Sequence, residues 1–240
     1  MTAALGIEAA SRTHVGHVRR RNEDAFYQGS WLYAVADGLG GHIAGDIAST
    51  TAIHAIRPHD KEVPAAHLAD VLGKAISDAD EALRRRIRQE PELSGMGTTM
   101  VAMLRSGNCA VLANIGDSRA YLMREHRNTR SRLTQITEDH TYQHLVADAS
   151  EVPSLPEKLA RFLDGRKDGR SPDLTALQLR IGDRVLLCSD GLSSYVPEEF
   201  IRGILNTVKS PSQVADELVS SALDQGGRDN VTVCVIDIKR

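Results

Sequence analysis

Three short apolar runs near the middle of the chain are joined by turns too brief to contain a helix. Met96–Leu104, Cys109–Ile115 and Arg119–Arg124 are rich in Val, Ala, Leu, Met and Tyr, a composition typical of strands. Gly, Asn, Asp or Ser residues separate them. Because a parallel pair needs a crossover of about a dozen or more residues, neighbouring strands here are predicted to be antiparallel.

Other strand-like runs and three helical patterns complete the chain. Alternating blocks of strands and paired helices predict an α+β domain in which helices cover a sheet or a sheet sandwich. The further strands are predicted at Trp31–Ala36, Thr175–Leu179, Arg184–Ser189 and Val231–Ile238. The helices are predicted from about Ala44 to Ile56, from Leu68 to a point before Pro91, and from a capping box at Ser210 and Gln213 to Gly226.

The length and composition are those of one globular domain spanning residues 1–240, with 41% hydrophobic and 25% charged residues. The segment 142–172 is polar and contains several Pro and Gly residues, so we expect a surface flap with short helical pieces there. The three cysteines, Cys109, Cys188 and Cys234, lie in apolar runs without a CxxC neighbour and are predicted to be buried thiols.

The net charge of −3 argues against a nucleic-acid-binding protein, because such proteins usually carry a basic surface. No run approaches the roughly 18 apolar residues needed to cross a bilayer, and the first ten residues do not resemble a signal peptide. The sequence therefore predicts a cytoplasmic protein without a membrane span, and we expect a monomer.

Acidic residues recur where apolar strands meet glycine- or asparagine-containing turns. Taken singly, such sites are ordinary turns, because Asp-Gly and Asp-Asn tolerate left-handed backbone geometry. Five together indicate more, since strand ends of one sheet system can converge. The acids are Asp37 after Trp31–Ala36, Asp117 after Cys109–Ile115, Asp190 after Arg184–Ser189, Asp229 before Val231, and Asp24 before a further apolar pair.

Carboxylates that converge repel one another unless cations neutralise them. Oxygen ligands alone suit Mg²⁺ or Mn²⁺, whereas zinc would require His or Cys. Two such ions about 3.5–4 Å apart are the usual device for hydrolysing phosphoesters, because a bridging water is acidified and aligned for attack. The pattern therefore predicts a phosphoesterase with two Mg²⁺ or Mn²⁺ ions.

A series of motifs, in order, resembles the metal-dependent protein phosphatases of type 2C, bacterial branch. The resemblance spans nearly the whole chain, and it implies a central antiparallel β-sandwich flanked on both faces by pairs of antiparallel helices. It also implies hydrolysis of phosphoserine and phosphothreonine by a metal-bridging water. The motifs are RRRNEDAF at 19–26, VADGLGGH at 35–42, GTT at 97–99, NIGDSR at 114–119, LCSDGL at 187–192 and GRDNVTV at 227–233.

The resemblance also implies roles for the acids. Asp37 would bridge both catalytic ions, the Gly38 carbonyl and an acid of the Asn22-Glu23-Asp24 stretch would serve one ion, and Asp190 with Asp229 would serve the other. Either Glu23 or Asp24 fits as the direct ligand, and Asp24 is favoured. Asp117 resembles the ligand of a third metal in bacterial members.

Two basic residues complete the expected site. Arg19 is at the position of the family's phosphate-binding arginine, and a guanidinium can contact two phosphate oxygens at once; alternatively, residues 19–21 are a solvated basic patch. His42 is the candidate proton donor or substrate contact, because an imidazole titrates near pH 6.5. A structural role for His42 is an equal alternative, since the animal relatives carry their histidine nearer the bridging aspartate.

Three functions follow as competing hypotheses. The first is a protein serine/threonine phosphatase whose substrates are proteins phosphorylated by a bacterial Ser/Thr kinase. The second is a pseudophosphatase of the same fold that binds phosphoproteins through an altered flap, because the chain departs from the family after Asp139-His140. The third is a two-metal phosphoesterase for small molecules or nucleic acid, which the net acidity disfavours.

Overall fold

The computed structural model describes residues 5–40, 44–126, 129–142, 158–166 and 171–240. Within these ranges two antiparallel sheets pack face to face, and helices cover their outer faces. The helices are α1 (Ala44–Ile56), α2 (Leu68–Gln89), α3 (Asp190–Ser193), α4 (Glu198–Leu205) and α5 (Pro211–Asp224). The strands are β1 (Gly6–His14), β2 (Asp24–Gln28), β3 (Leu32–Leu39), β4 (Gly97–Thr98), β5 (Met100–Ser106), β6 (Cys109–Ile115), β7 (Arg119–His126), β8 (Thr129–Gln135), β9 (Asp173–Gln178), β10 (Arg184–Cys188) and β11 (Val231–Lys239).

The strand order explains which chain segments meet at the ends of the sandwich. One sheet has the order β1-β11-β10-β7-β8, and the other has the order β2-β3-β5-β6-β9, with β4 paired to β3. Both are antiparallel throughout the described pairings, so the prediction of an α+β sandwich is confirmed.

The apolar core has three layers. Side chains of both sheets, such as Val35 and Ile236, fill the space between them. The α1–α2 pair covers the β3 sheet with residues such as Leu72, and the α4–α5 pair covers the β11 sheet with residues such as Leu218. Fully burying one aliphatic side chain contributes about 1.5–3 kcal/mol, so these layers hold the strand ends in place.

The expectation that β6 and β7 would be neighbours is wrong. The two strands belong to different sheets, so the turn between them crosses the sandwich. Gly116 in this turn has a φ of 117°, and a Cβ there would lie 2.6 Å from the Thr99 side chain. Only glycine fits both the backbone conformation and the close approach, and the crossover places Asp117 between the sheets' ends.

Strand boundaries also differ from the prediction. β3 continues past Ala36 to Leu39, because Gly38 and Leu39 pair with β4, so Asp37 lies within a strand rather than after it. The run Met96–Leu104 is interrupted at Thr99 and forms both β4 and β5. Strands β1, β2 and β8 and helices α3 and α4 were not predicted.

The helix predictions are largely confirmed. The capping box that starts α5 is present: Ser210 Oγ accepts from the Gln213 backbone N–H, and the Gln213 side chain accepts from the Ser210 N–H. Cys188 and Cys234 are buried free thiols, but Cys109 is partly exposed because it is the first residue of β6.

The predicted flap at 142–172 lies mostly outside the described residues. Its longest described piece, 158–166, forms isolated bridges from Leu159 to Thr141 and from Leu163 to Thr98, and that piece contains no helix. Among the described residues, no helix is both long and apolar enough to cross a membrane.

Candidate active site

A pocket of about 560 Å³ opens at one end of the sandwich. It brings together four of the predicted site residues, Arg19, Asp37, Asp190 and Asp229, which are far apart in sequence. Its walls also carry an additional carboxylate, a carboxamide and two more arginines. The full lining is Arg19, Arg20, Arg21, Glu23, Asp37, Leu39, Asp190, Asp229 and Asn230.

Asp24 lies directly opposite Asp37 in the β2–β3 pairing. Its Oδ2 accepts a 2.8 Å hydrogen bond from Ser189 Oγ, while its buried Oδ1 has no partner among the described residues. Burial raises the pKa of Asp24 to about 7, although hydrogen bonds from the hydroxyl groups of Thr232 and Ser189 oppose that rise. A buried carboxylate with an unsatisfied oxygen is a position where a cation or its hydration water would be accepted.

Asp37 is held from both sides of its backbone. Its N–H donates to Thr99 Oγ1 at 3.0 Å, and its carbonyl accepts from Thr99 N at 2.9 Å and from Thr98 Oγ1 at 2.8 Å. Burial, followed by the charges of Asp24 and Asp190, raises the pKa of Asp37 well above its usual range. The backbone of Asp37 is therefore fixed, while the negative charge of its side chain is disfavoured by burial and by the neighbouring carboxylates.

Asp190 and Asp229 approach the pocket from the second sheet. Asp190 is the first residue of α3 and follows β10, and Asp229 lies in the turn before β11. Burial and then the charge of Asp229 raise the pKa of Asp190, whereas the positive charges of Arg19 and Arg119 oppose that rise. Arg19 Nη2 lies 2.7 Å from Asp229 Oδ2, and this hydrogen bond raises the pKa of Arg19.

Asp117 stands apart from the pocket lining. It occupies the crossover turn, where burial and then the charge of Asp190 raise its pKa to about 7. It is therefore electrostatically coupled to the pocket acids without lining the same cavity. His42 lies outside the described residues, so its predicted role stays a prediction.

The residues present fit divalent cations that prefer oxygen. The donors are carboxylates together with the Gly38 carbonyl, and a Cβ at Gly38 would lie 2.0 Å from the Gly45 carbonyl, so a side chain cannot be accommodated there. Within the described residues, however, no three His, Cys, Asp or Glu side chains are grouped closely enough to hold an ion as they stand. Carboxylates that converge on one pocket need cations to offset their mutual repulsion.

Glu23, the alternative to the favoured Asp24, lines the pocket whereas Asp24 does not, and the Glu23 N–H donates to Asn230 Oδ1 at 2.8 Å. Other supporting residues have roles that sequence reasoning missed. Ser189 bonds Asp24, and Thr98 and Thr99 bond the Asp37 backbone. The available signal was a polar residue inside an otherwise apolar run next to a candidate acid.

Comparison with known proteins gives consistent results. The sequence matches the protein phosphatase 2C family over residues 13–225. It is 41% identical to the serine/threonine protein phosphatase PstP of Mycobacterium tuberculosis over 98% of this chain, which spans 45% of that protein's length. It is 34% identical to the serine/threonine phosphatase stp of Listeria monocytogenes, covering 96% of both chains.

A solved structure agrees in fold. The catalytic domain of PstP, crystallised with two manganese ions, superposes with a TM-score of 0.87 at 40% identity, covering 98% of this chain and 100% of that one. The likeness therefore extends over the whole sandwich as well as over the motifs. This chain belongs to the protein phosphatase 2C family.

Proposed function

We propose that this chain hydrolyses phosphoserine and phosphothreonine in other proteins with the help of two divalent cations. The observation that supports this most is the charge of the pocket, in which Asp37, Asp190 and Asp229 face one paired guanidinium, that of Arg19. The named relatives are serine/threonine phosphatases, which supports phosphorylated serine and threonine side chains as the substrate class.

The carboxylates would hold the cations. Asp37 and the Gly38 carbonyl, Asp190 and Asp229 are the proposed ligands, with Asp24 or Glu23 completing the set. When bound, two Mg²⁺ or Mn²⁺ ions neutralise phosphoryl oxygens and acidify the attacking water. Asp117 is the proposed ligand of a third ion, because it lies in the NIGDSR motif that resembles the third-metal site of bacterial family members.

Arg19 is proposed to bind the phosphoryl group. One guanidinium nitrogen donates to Asp229, while the side chain remains about half exposed, so its other N–H donors can reach an anion in the pocket. The bond to Asp229 orients the guanidinium before substrate arrives. His42 is proposed to donate a proton to the departing serine or threonine oxygen.

The direct test is phosphate release from phosphoserine, phosphothreonine and phosphotyrosine peptides, with Mn²⁺ and with excess chelator. We expect metal-dependent turnover that favours the first two peptides and is lost in Asp190→Ala. Asp70→Ala, which removes an exposed acid at the start of α2, is the matched control and keeps full activity. Full activity in chelator would refute the proposal, and tight phosphopeptide binding without turnover would instead support the pseudophosphatase.

The setting of the reaction is also a proposal. Three free cysteines fit a reducing compartment, so we propose that this chain, as a single catalytic domain over residues 1–240, works in the cytoplasm as a monomer. Its substrates would then be proteins phosphorylated by a bacterial Ser/Thr kinase. Sedimentation of the metal-loaded protein tests the monomer, which a stable dimer at micromolar concentration would exclude.

A further inference from the structure

Three consecutive arginines line the pocket, but the proposed chemistry uses only one of them. Arg19, Arg20 and Arg21 all contribute to its wall and are exposed to solvent. Arg19 is paired with Asp229, whereas neither Arg20 nor Arg21 forms an ion pair within the described part of the chain. Two guanidinium groups at the mouth of the pocket therefore remain available to a ligand.

The local backbone explains why all three side chains face the same cavity. In a strand, consecutive side chains point to opposite faces, which would turn the middle arginine away. Residues 19–21 lie instead in an irregular segment that bends between β1 and β2. The bend therefore presents neighbouring arginines to one pocket.

This segment is held at both ends by the turn that carries Asp229. Asn230 Nδ2 donates to the carbonyls of Val15 and Arg21, at 2.9 and 2.8 Å, and the His17 N–H donates to the Gly227 carbonyl at 2.6 Å. The backbone of the arginine segment is thereby fixed relative to the pocket acids. The side chains of Arg20 and Arg21, in contrast, stay free to contact a substrate.

Spacing relates the free arginines to positions in a peptide. Adjacent Cα atoms are about 3.8 Å apart both in this segment and in an extended peptide. If Arg19 contacts the phosphoryl group, Arg20 and Arg21 lie one to two residue spacings away. Those distances reach the nearest one or two neighbours of the phosphorylated residue.

We propose that Arg20 and Arg21 select phosphopeptides that carry an anionic side chain, carboxylate or second phosphate, directly beside the phosphoserine or phosphothreonine. The inference rests on the proposed function, because it assumes that the phosphoryl group occupies the pocket. Both substrate anions are recognised by the same chemistry, an ion pair with a guanidinium. Exposed pairs of this kind are individually weak, so the two together give a preference rather than an absolute requirement.

The experiment compares phosphothreonine peptides of identical length whose flanking residues are glutamate, glutamine, lysine or a second phosphoserine. For the unaltered protein we expect kcat/KM about tenfold higher with glutamate than with glutamine, and a larger ratio with phosphoserine, decreasing as salt is added. In Arg20→Ser/Arg21→Ser the ratio falls to about twofold or less. In Arg20→Glu/Arg21→Glu the lysine-flanked peptide becomes the better substrate.

Two controls separate this inference from the function on which it rests. An aryl phosphate has no flanking residues, so its hydrolysis measures how far each double variant loses general attraction for a phosphate, and the peptide ratios are compared with it; Arg85→Ser on the exposed side of α2 changes neither measurement. Non-hydrolysable phosphonate versions of the peptides measure the same preference by fluorescence anisotropy even if turnover fails. Equal affinities for the glutamate and glutamine peptides, or a preference that survives in both double variants, would overturn the proposal.

Discussion

Two groups of aspartates in this protein have opposite electrostatics. Outside the pocket, three buried aspartates each form a bidentate ion pair with an arginine. The pairs are Asp139 with Arg119, Asp183 with Arg124 and Asp237 with Arg184. At the pocket end, Asp24, Asp37, Asp117 and Asp190 have raised pKa values and no such partner among the described residues.

The difference separates carboxylates whose charge is neutralised by the protein's own arginines from carboxylates that need cations from solution. A buried carboxylate with a guanidinium partner can stay ionised, whereas clustered carboxylates without one are costly at neutral pH. The first group should therefore support stability under all ordinary conditions. The second group should support stability only when cations are bound.

The largest stability effect is expected when a paired aspartate loses its arginine. All five N–H donors of Arg184 are used: two bond Asp237, and the other three bond the carbonyls of Leu205, Thr207 and Lys209. Arg184→Ala would leave a buried charge and three carbonyls without these donors. We expect a loss of about 3–5 kcal/mol in the free energy of unfolding, measured by urea denaturation.

Arg184→Lys is the informative companion to that variant. It keeps the positive charge but lacks the planar fork, so it should recover only part of the loss. Lys209→Ala, which removes an exposed pair with Glu217 in the same region, should change stability by less than about 1 kcal/mol. If Arg184→Ala were as mild as Lys209→Ala, the paired aspartates would not be a distinct group.

The next largest effect is expected from adding metal to the chelated protein. A ligand present at a hundredfold excess over its Kd stabilises the folded state by about 2.7 kcal/mol, which for a chain of this size raises Tm by roughly 5–10 °C. Mn²⁺ should produce this shift in a thermal melt, and Asp190→Ala should reduce it. A melting temperature that ignores millimolar Mn²⁺ would show that the pocket acids do not bind the ion.

How far the sequence predicts this arrangement depends on the kind of signal involved. Asp37, Asp190 and Asp229 were predicted to converge, because each adjoins an apolar strand, and the structure places them around one pocket. The crossover between β6 and β7 was not predicted, since a short turn suits a hairpin as well as a change of sheet. The choice depends on the contact between Gly116 and Thr99, which are distant in sequence.

The arginine partners of the paired aspartates are likewise invisible in the sequence. Arg184 and Asp237 are 53 positions apart and meet only because β10 and β11 pair with these residues opposite each other. Strand pairing also places Asp24 opposite Asp37, whereas Glu23, just before β2, lines the pocket, a difference that an adjacent pair of acids in the sequence cannot reveal. Local patterns therefore predicted the elements, and the register between elements determined the contacts.

A pH effect of moderate size should distinguish the two groups in chelator. Asp24 and Asp117 have pKa values of about 7 in the folded chain, against about 4 for an unfolded aspartate, so the folded state binds more protons between these values. Stability is therefore greatest below about pH 4 as far as these groups are concerned, and is lost as the pH rises through 7. Each of these two carboxyl groups should contribute a decrease of about 2–3 kcal/mol between pH 5 and 8, which saturating Mn²⁺ should abolish.

The smallest effect gives the most direct contrast between the two groups. Replacing an aspartate by asparagine should change the free energy of unfolding in opposite directions in them. Asp37→Asn imitates a protonated carboxyl and removes repulsion by Asp24 and Asp190, so in chelator at pH 8 it should raise the free energy of unfolding by about 1 kcal/mol. Asp183→Asn, which takes a carboxylate from Arg124, should lower it in the same urea titration. With Mn²⁺ present, Asp37→Asn should become destabilising because a proposed ligand is lost. If both substitutions were destabilising in chelator, the pocket carboxylates would be as well compensated as the others, and their need for cations would be disproved.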